Sequence, residues 1–295
     1  MNDGSSRMRL YLIVVGVYLF WGANFIFSKI VLKEMPGMVA ATLRTFFAAA
    51  LMLPVYWWSV RQGAEPVKLR ELPLLFFIGS VGVAINQACF LVGISYTSAG
   101  HAALVISLTP ILVLFLAAFV GQEKITPWKI AGLTVAISGV VLLQNGHSAS
   151  AQSSSLLGDL FIVGASASFA IYTVFGKRAT RQHGAIPIIA FSYAAGALTL
   201  FPFTYSAVLS FDYGSLSTKA WLAFFYMTVI SSTICYVFFY YALNRLAASR
   251  ISAFAYLQPV VASLLAVPML DEPITAAMMG GGSLVLAGVF LTERG

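Results

Sequence analysis

Along this chain, stretches of predominantly apolar residues follow one another with only brief polar breaks, and within a stretch the apolar positions do not alternate with polar ones. A helix needs roughly 20 mostly apolar residues to cross a bilayer, and the pattern supplies such stretches repeatedly. A membrane β-barrel would instead show segments of about 10 residues alternating apolar and polar, whereas 104–120 and 284–291 run on without alternation. The pattern predicts an all-α integral membrane protein with ten transmembrane helices, at 9–30, 36–58, 72–95, 99–120, 127–145, 157–178, 184–205, 219–243, 249–270 and 273–292.

Composition strengthens this reading. Of 295 residues, 60% are hydrophobic and 9% charged, against about 25% charged in an ordinary soluble domain, so lipid is the solvent for most of the surface. The net charge of +7 does not indicate a nucleic-acid partner, because the basic residues are scattered through short loops. With the N-terminus in the cytoplasm, the cytoplasmic segments hold thirteen basic residues (Arg7, Arg9, Arg61, Lys68, Arg70, Lys124, Lys129, Lys177, Arg178, Arg181, Arg245, Arg250 and Arg294) and the opposite side only Lys29, Lys33 and Lys219. The positive-inside rule then places both termini in the cytoplasm of a multi-pass bacterial inner-membrane protein. The first apolar stretch carries no signal-peptide cleavage site and reads as a retained helix. Cys89 and Cys235 fall inside spans without metal-ligand spacing, as packing residues.

The chain also repeats itself. A shift of 149 residues lays Pro110, Glu123, Ile125, Thr126, Gly132 and Gly139 on Pro259, Glu272, Ile274, Thr275, Gly281 and Gly288 without a gap. A shift of 148 lays Trp21, Phe27 and Lys29 on Phe169, Phe175 and Lys177. Two units follow, 1–145 and 157–295, joined by an external Ser- and Ala-rich linker at 146–156. Five spans per unit is an odd number, so the second unit enters the membrane inverted. Inverted five-helix repeats suit a transporter, since two half-structures can expose a central site to each side in turn.

Pro110 with Glu123-Lys124-Ile125-Thr126, repeated as Pro259 with Glu272-Pro273-Ile274-Thr275, and the aromatic start Phe20-Trp21-Gly22-Ala23-Asn24, resemble the paired EamA-type modules of the drug/metabolite transporter superfamily. The resemblance covers nearly the whole chain and implies ten helices and metabolite efflux. Within the superfamily the chain looks most like the aromatic amino acid exporters of the YddG-like branch, which implies amino acid substrates, aromatic or otherwise hydrophobic, and aromatic cations. Arg44 has no charged counterpart near Ala195.

Ionisable groups within a membrane are functional candidates by default. All ten acidic residues lie at or near span ends, so a proton-coupled pump built on a buried Glu is disfavoured, although a proton-coupled multidrug or metabolite efflux carrier is the alternative function. Without a mid-depth carboxylate, a facilitated exporter is expected, run by the solute's gradient and with no fixed charge to neutralise before the empty carrier returns. Arg44 either snorkels to the interface or holds a substrate carboxylate or gate. His101 is either a hydrogen-bonded helix-end residue or a substrate contact. Trp21, Asn24, Asn86, Gln87, Phe90, Tyr172, Tyr236, Tyr240, Tyr256 and Gln258 lie well inside spans, and as a set they suggest an aromatic cavity dotted with amides. The substrate-contact set is Trp21, Asn24, Gln87, Phe90, His101, Tyr172, Tyr240 and Gln258. The hinge and gate set is Pro110, Pro259 and Arg44, the prolines because each breaks a helix hydrogen bond at matched places.

Enzyme and channel readings fare worse. There is no His-Glu-x-x-His, no Gly-x-Ser-x-Gly, no phosphate-binding glycine loop and no recognisable filter. No enzyme activity, cofactor or metal is expected. The expected partners are a small-molecule substrate and the lipid bilayer, with the protein a monomer or homodimer.

Overall fold

The computed structural model describes residues 3–97, 99–145, 155–270 and 276–294, and these are helical with no strand among them. The linker residues 146–154 and the second acidic motif, Glu272 to Thr275, lie outside the described residues. Helix α1 is Asp3–Leu32, α2 Gly37–Arg61, α3 Leu72–Gly79, α4 Asn86–Ser95, α5 Ala99–Ile106, α6 Thr109–Phe119 and α7 Pro127–Asn145. Helix α8 is Leu156–His183, α9 Ala185–Ser210, α10 Thr218–Phe225, α11 Cys235–Leu243, α12 Ala248–Ala253, α13 Leu257–Leu270 and α14 Ala276–Glu293. Seven helical stretches among the described residues are long and apolar enough to cross a membrane, and Pro127–Leu142 and Met279–Thr292 are shorter apolar helices. Large apolar side chains such as Phe119, Phe203 and Leu222 stand on the outside, an arrangement that water penalises and a lipid solvent accepts.

Local chemistry sets the helix ends. Ser155 and Ser217 cap α8 and α10, their side chains accepting from the backbone N–H groups of Gly158 and Ala220 at 3.0 and 3.1 Å. Gly184, at φ 80°, adopts the left-handed conformation that lets α8 turn directly into α9. Pro110 lies in the first turn of α6, where its missing N–H removes no helix bond.

Four spans are not continuous α-helices. Two unbroken helices were expected at 99–120 and 249–270. The chain instead breaks between α5 and α6 at Ser107–Leu108, and between α12 and α13 in a 3₁₀ turn at Phe254–Tyr256. Each proline thus sits just after a break rather than kinking a continuous helix. Two π-helical segments, Ser80–Ile85 between α3 and α4 and Tyr226–Ile234 between α10 and α11, widen two further spans. Such insertions favour functional positions because they release the regular helix ladder. Ser80–Ile85 shifted by 148 falls within Tyr226–Ile234, and the same shift carries Pro54, inside α2, onto Pro202, inside α9.

Helix α7 lies along α14, α2 along α9, α4 along α8, and α1 along α13 and α11. The α7/α14 contact is built on glycine. A Cβ at Gly132 would sit 2.7 Å from Gly288 O, and one at Gly139 would sit 2.7 Å from both Gly281 O and Val285 N. Only hydrogen lets the backbones approach so closely, and without a hydrophobic driving force in lipid this contact holds the two helices together.

Candidate functional site

Where the interrupted helices meet α1, α2 and α8, the side chains line a partly open cavity of about 80 Å³, room for several waters. Trp21, Asn24, Arg44, Asn86, Gln87, Phe90, Tyr236 and Gln258, eight of the residues singled out in the sequence, line it together. Tyr18, Phe25, Ile106, Thr109, Phe169, Ser231 and Ala255 complete the wall. Ile106, Thr109 and Ala255 adjoin the two helix breaks, and Ser231 lies in a π-helical segment. Spacing alone does not reveal a break within an apolar run, which is why these residues escaped sequence reasoning. Phe169 carried a signal, since a shift of 148 residues lays Trp21 on it.

Trp21 is the centre of the aromatic wall. Its ring centroid lies 5.3 Å from that of Tyr18, 5.6 Å from Phe169, 5.1 Å from Tyr236 and 5.3 Å from Phe239, and the edge-on geometry of most of these pairs suits aromatic quadrupoles. Its Nε1 donates to Ser231 O at 3.0 Å, tying α1 to the widened segment before α11. Asn86 Nδ2 donates to Ala165 O at 2.8 Å. These contacts join residues 210 and 79 positions apart in the sequence.

Arg44 does not snorkel. It is 2% exposed, its Nε donates to Ser232 Oγ, and its Nη2 donates to Ser231 Oγ at 3.2 Å. Its Nη1 has no hydrogen-bond partner. Among the described residues no carboxylate lines the cavity and Arg44 makes no ion pair. The wall therefore carries one positive charge, that of the Arg44 guanidinium. Leaving a buried charge without its counter-charge costs about 3–5 kcal/mol. Three more wall residues hold buried polar atoms without a partner, namely Tyr18 Oη, Asn24 Oδ1 and Thr109 Oγ1. Four of the twelve such atoms among the described residues share this wall.

Three predicted contact residues lie elsewhere. Tyr172 and Tyr240 are fully buried; the Tyr172 ring occupies the space a Cβ at Gly82 would take, Tyr240 does the same at Gly176, and Tyr240 Oη donates to Tyr172 O at 3.0 Å. They fill the holes that two glycines leave between helices and do not line the cavity. His101 stands at the start of α5 with its Nε2 2.9 Å from Asp159 Oδ1 in the first turn of α8, away from the cavity wall. The prolines adjoin the breaks: Pro110 follows the wall residue Thr109, and Pro259 follows Gln258.

A second buried charge centre lies in the turn after α6. Glu123 Oε2 accepts from Lys129 Nζ at 3.0 Å, with both side chains 6% exposed, and from Ser249 Oγ; its Oε1 accepts from Ala248 N at 2.6 Å at the start of α12. Burial pushes the Glu123 carboxyl up, but the hydrogen bonds from Ser249 and Lys129 outweigh it and hold the group below the usual carboxylate range. No cluster of His, Cys, Asp and Glu among the described residues could hold a metal.

Comparison with known proteins places this architecture. The sequence model of the EamA-like transporter family matches twice, over residues 8–144 and 156–294. An "Uncharacterized transporter" of Archaeoglobus fulgidus is 30% identical over 97% of this chain and 99% of its own length. A "Probable amino-acid metabolite efflux pump" of Salmonella typhimurium is 26% identical over 95% and 93%, and a "Probable terminal-alkyne amino-acid exporter" of Streptantibioticus cattleyicolor is 28% identical over 79% and 76%. A solved chain described as "Crystal structure of protein" superposes with a TM-score of 0.76 over 97% of both chains at 17% identity, a likeness of fold alone. With two matches that together span nearly all of its length, this multi-pass helical membrane protein belongs to the EamA-like transporter family.

Proposed function

We propose that this transporter is an inner-membrane exporter of amino acids, aromatic or otherwise hydrophobic. It would work by alternating access between two inverted five-helix units of a ten-span chain whose termini are both cytoplasmic. The observation that carries the reading is the cavity: its wall is drawn from both units, and each of the four interrupted spans contributes to it or borders it. An interrupted helix lowers the barrier to bending there, and matched interruptions around a central site are what rocking of two halves requires. The pairing of α4 with α8 answers that of α11 with α1 when the units are exchanged. The names of the Salmonella and Streptantibioticus relatives favour amino acid cargo. A proton-coupled mechanism is the rival, and the absence of a carboxylate from the cavity wall weighs against it.

Uptake of labelled amino acids into sealed liposomes, with and without an imposed pH gradient, tests the reading. Saturable flux that persists without the gradient is expected, as is a slowing of turnover by Pro110→Ala and Pro259→Ala at little-changed affinity. Flux that stops when the gradient is removed establishes the proton-coupled alternative.

A further inference from the structure

Resting on the carrier reading, we infer that Arg44 selects the substrate's carboxylate, so that the cavity takes zwitterionic aromatic acids and rejects ring compounds that carry only an amine. The guanidinium is held by two serine hydroxyls that orient it without neutralising it: Nε on Ser232, Nη2 on Ser231, and Nη1 left over. Both serines belong to the π-helical segment Tyr226–Ile234, so the second unit positions the charge that the first unit supplies. A buried cation of this kind opposes entry of another cation and favours an anion that can take a bidentate pair of N–H donors.

The rest of the wall completes a zwitterion's needs. Asn24 Oδ1 is an acceptor without a donor, suited to an ammonium group, and Asn24 Nδ2 is already engaged with Ser28 Oγ at 3.4 Å, which fixes the amide's direction. Trp21, Phe169 and Tyr236, packed edge to face, give the wall an aromatic, apolar side against which a ring can pack. An acceptor in α1 and a donor in α2 thereby give the site a polarity that pure aromatic stacking lacks. Aromatic cations, which a ring-walled cavity alone would accept, are excluded by the charge.

Three compounds with the same ring separate the possibilities: L-phenylalanine, 3-phenylpropionate without the amine, and phenethylamine without the carboxylate. Exchange of labelled L-phenylalanine by the purified full-length protein in liposomes is measured with each as competitor. Unlabelled L-phenylalanine and 3-phenylpropionate are expected to compete, and phenethylamine to require about 100-fold higher concentration, the order of a charge-assisted hydrogen-bond pair. In Arg44→Gln that preference disappears, while Arg44→Lys keeps it with affinity weakened about tenfold, because charge survives and the planar fork does not. Competition by phenethylamine equal to that by 3-phenylpropionate in the unmodified protein overturns the inference and leaves the carrier standing, and needs no variant to fold. Unchanged L-phenylalanine affinity in Arg44→Gln overturns it too. A protein that exchanges none of the three overturns the carrier reading and this inference with it.

Discussion

Two buried charge centres, treated differently by the fold, separate architecture from function in this molecule. At Glu123 each charge has its answer: Lys129 neutralises the carboxylate, Ser249 and Ala248 fill its remaining lone pairs, and α12 gains a cap. At Arg44 the fold supplies orientation but no counter-charge, and Nη1 is left bare beside the cavity. A satisfied network rigidifies what it joins, whereas an unsatisfied one stores free energy that a ligand can release. The first holds the turn after α6 to the start of α12, and the second stands in the cavity wall with three other buried polar atoms that lack a partner, Tyr18 Oη, Asn24 Oδ1 and Thr109 Oγ1.

The largest test of this contrast is Glu123→Ala, which leaves Lys129 charged and buried and α12 without its cap. We expect a loss of about 3–5 kcal/mol in stability, read as a lower thermal unfolding midpoint in detergent. Arg44→Gln should move that midpoint upward or leave it unchanged, since it removes an unpaired charge. Equal destabilisation by both would erase the distinction. The pH dependence follows in sign: because the Glu123 carboxyl is held below its ordinary range, its contribution is present at neutral pH and lost as pH falls through that lowered range.

Next in size is the α7/α14 seam. In Gly139→Val the new Cβ meets the backbone of α14 at Gly281 and Val285, and overpacking of this kind costs about 1–3 kcal/mol. The unfolding midpoint should fall with the substrate KM unchanged, as expected of a contact that joins helices outside the cavity wall. A raised KM at normal stability would show the seam to move with the site. The smallest effect is reserved for Trp21→Phe, which keeps a six-membered aromatic ring and removes the pyrrole half with its donor to Ser231 O. A net hydrogen bond is worth about 1 kcal/mol, so substrate affinity should weaken about fivefold at unaltered expression.

Helical class, membrane residence and much of the cavity wall were legible in the sequence, for reasons specific to its solvent. Lipid offers no hydrogen bonds, so apolar runs long enough to span it must be helical, and amides or rings placed within such runs are conspicuous. Trp21, Asn24, Gln87, Phe90 and Gln258 stood out in this way and line the cavity together. Tyr172 and Tyr240 stood out for the same reason and do not line it, because depth in a span cannot tell a ring that faces a void from one that covers Gly82 or Gly176.

The residue matches at shifts of 148 and 149, the apolar runs and the confinement of carboxylates to their ends were set by the amino-acid sequence alone, since each is a property of order along one dimension. Tertiary structure alone decided that Arg44 is buried against Ser231 and Ser232, some 187 and 188 positions away, instead of reaching the membrane surface. It decided as well that two helices break beside their prolines and two widen into π-turns. Those outcomes depend on which side chains and backbone groups across the bundle can accept a hydrogen bond or leave room, and helices distant in sequence supply them.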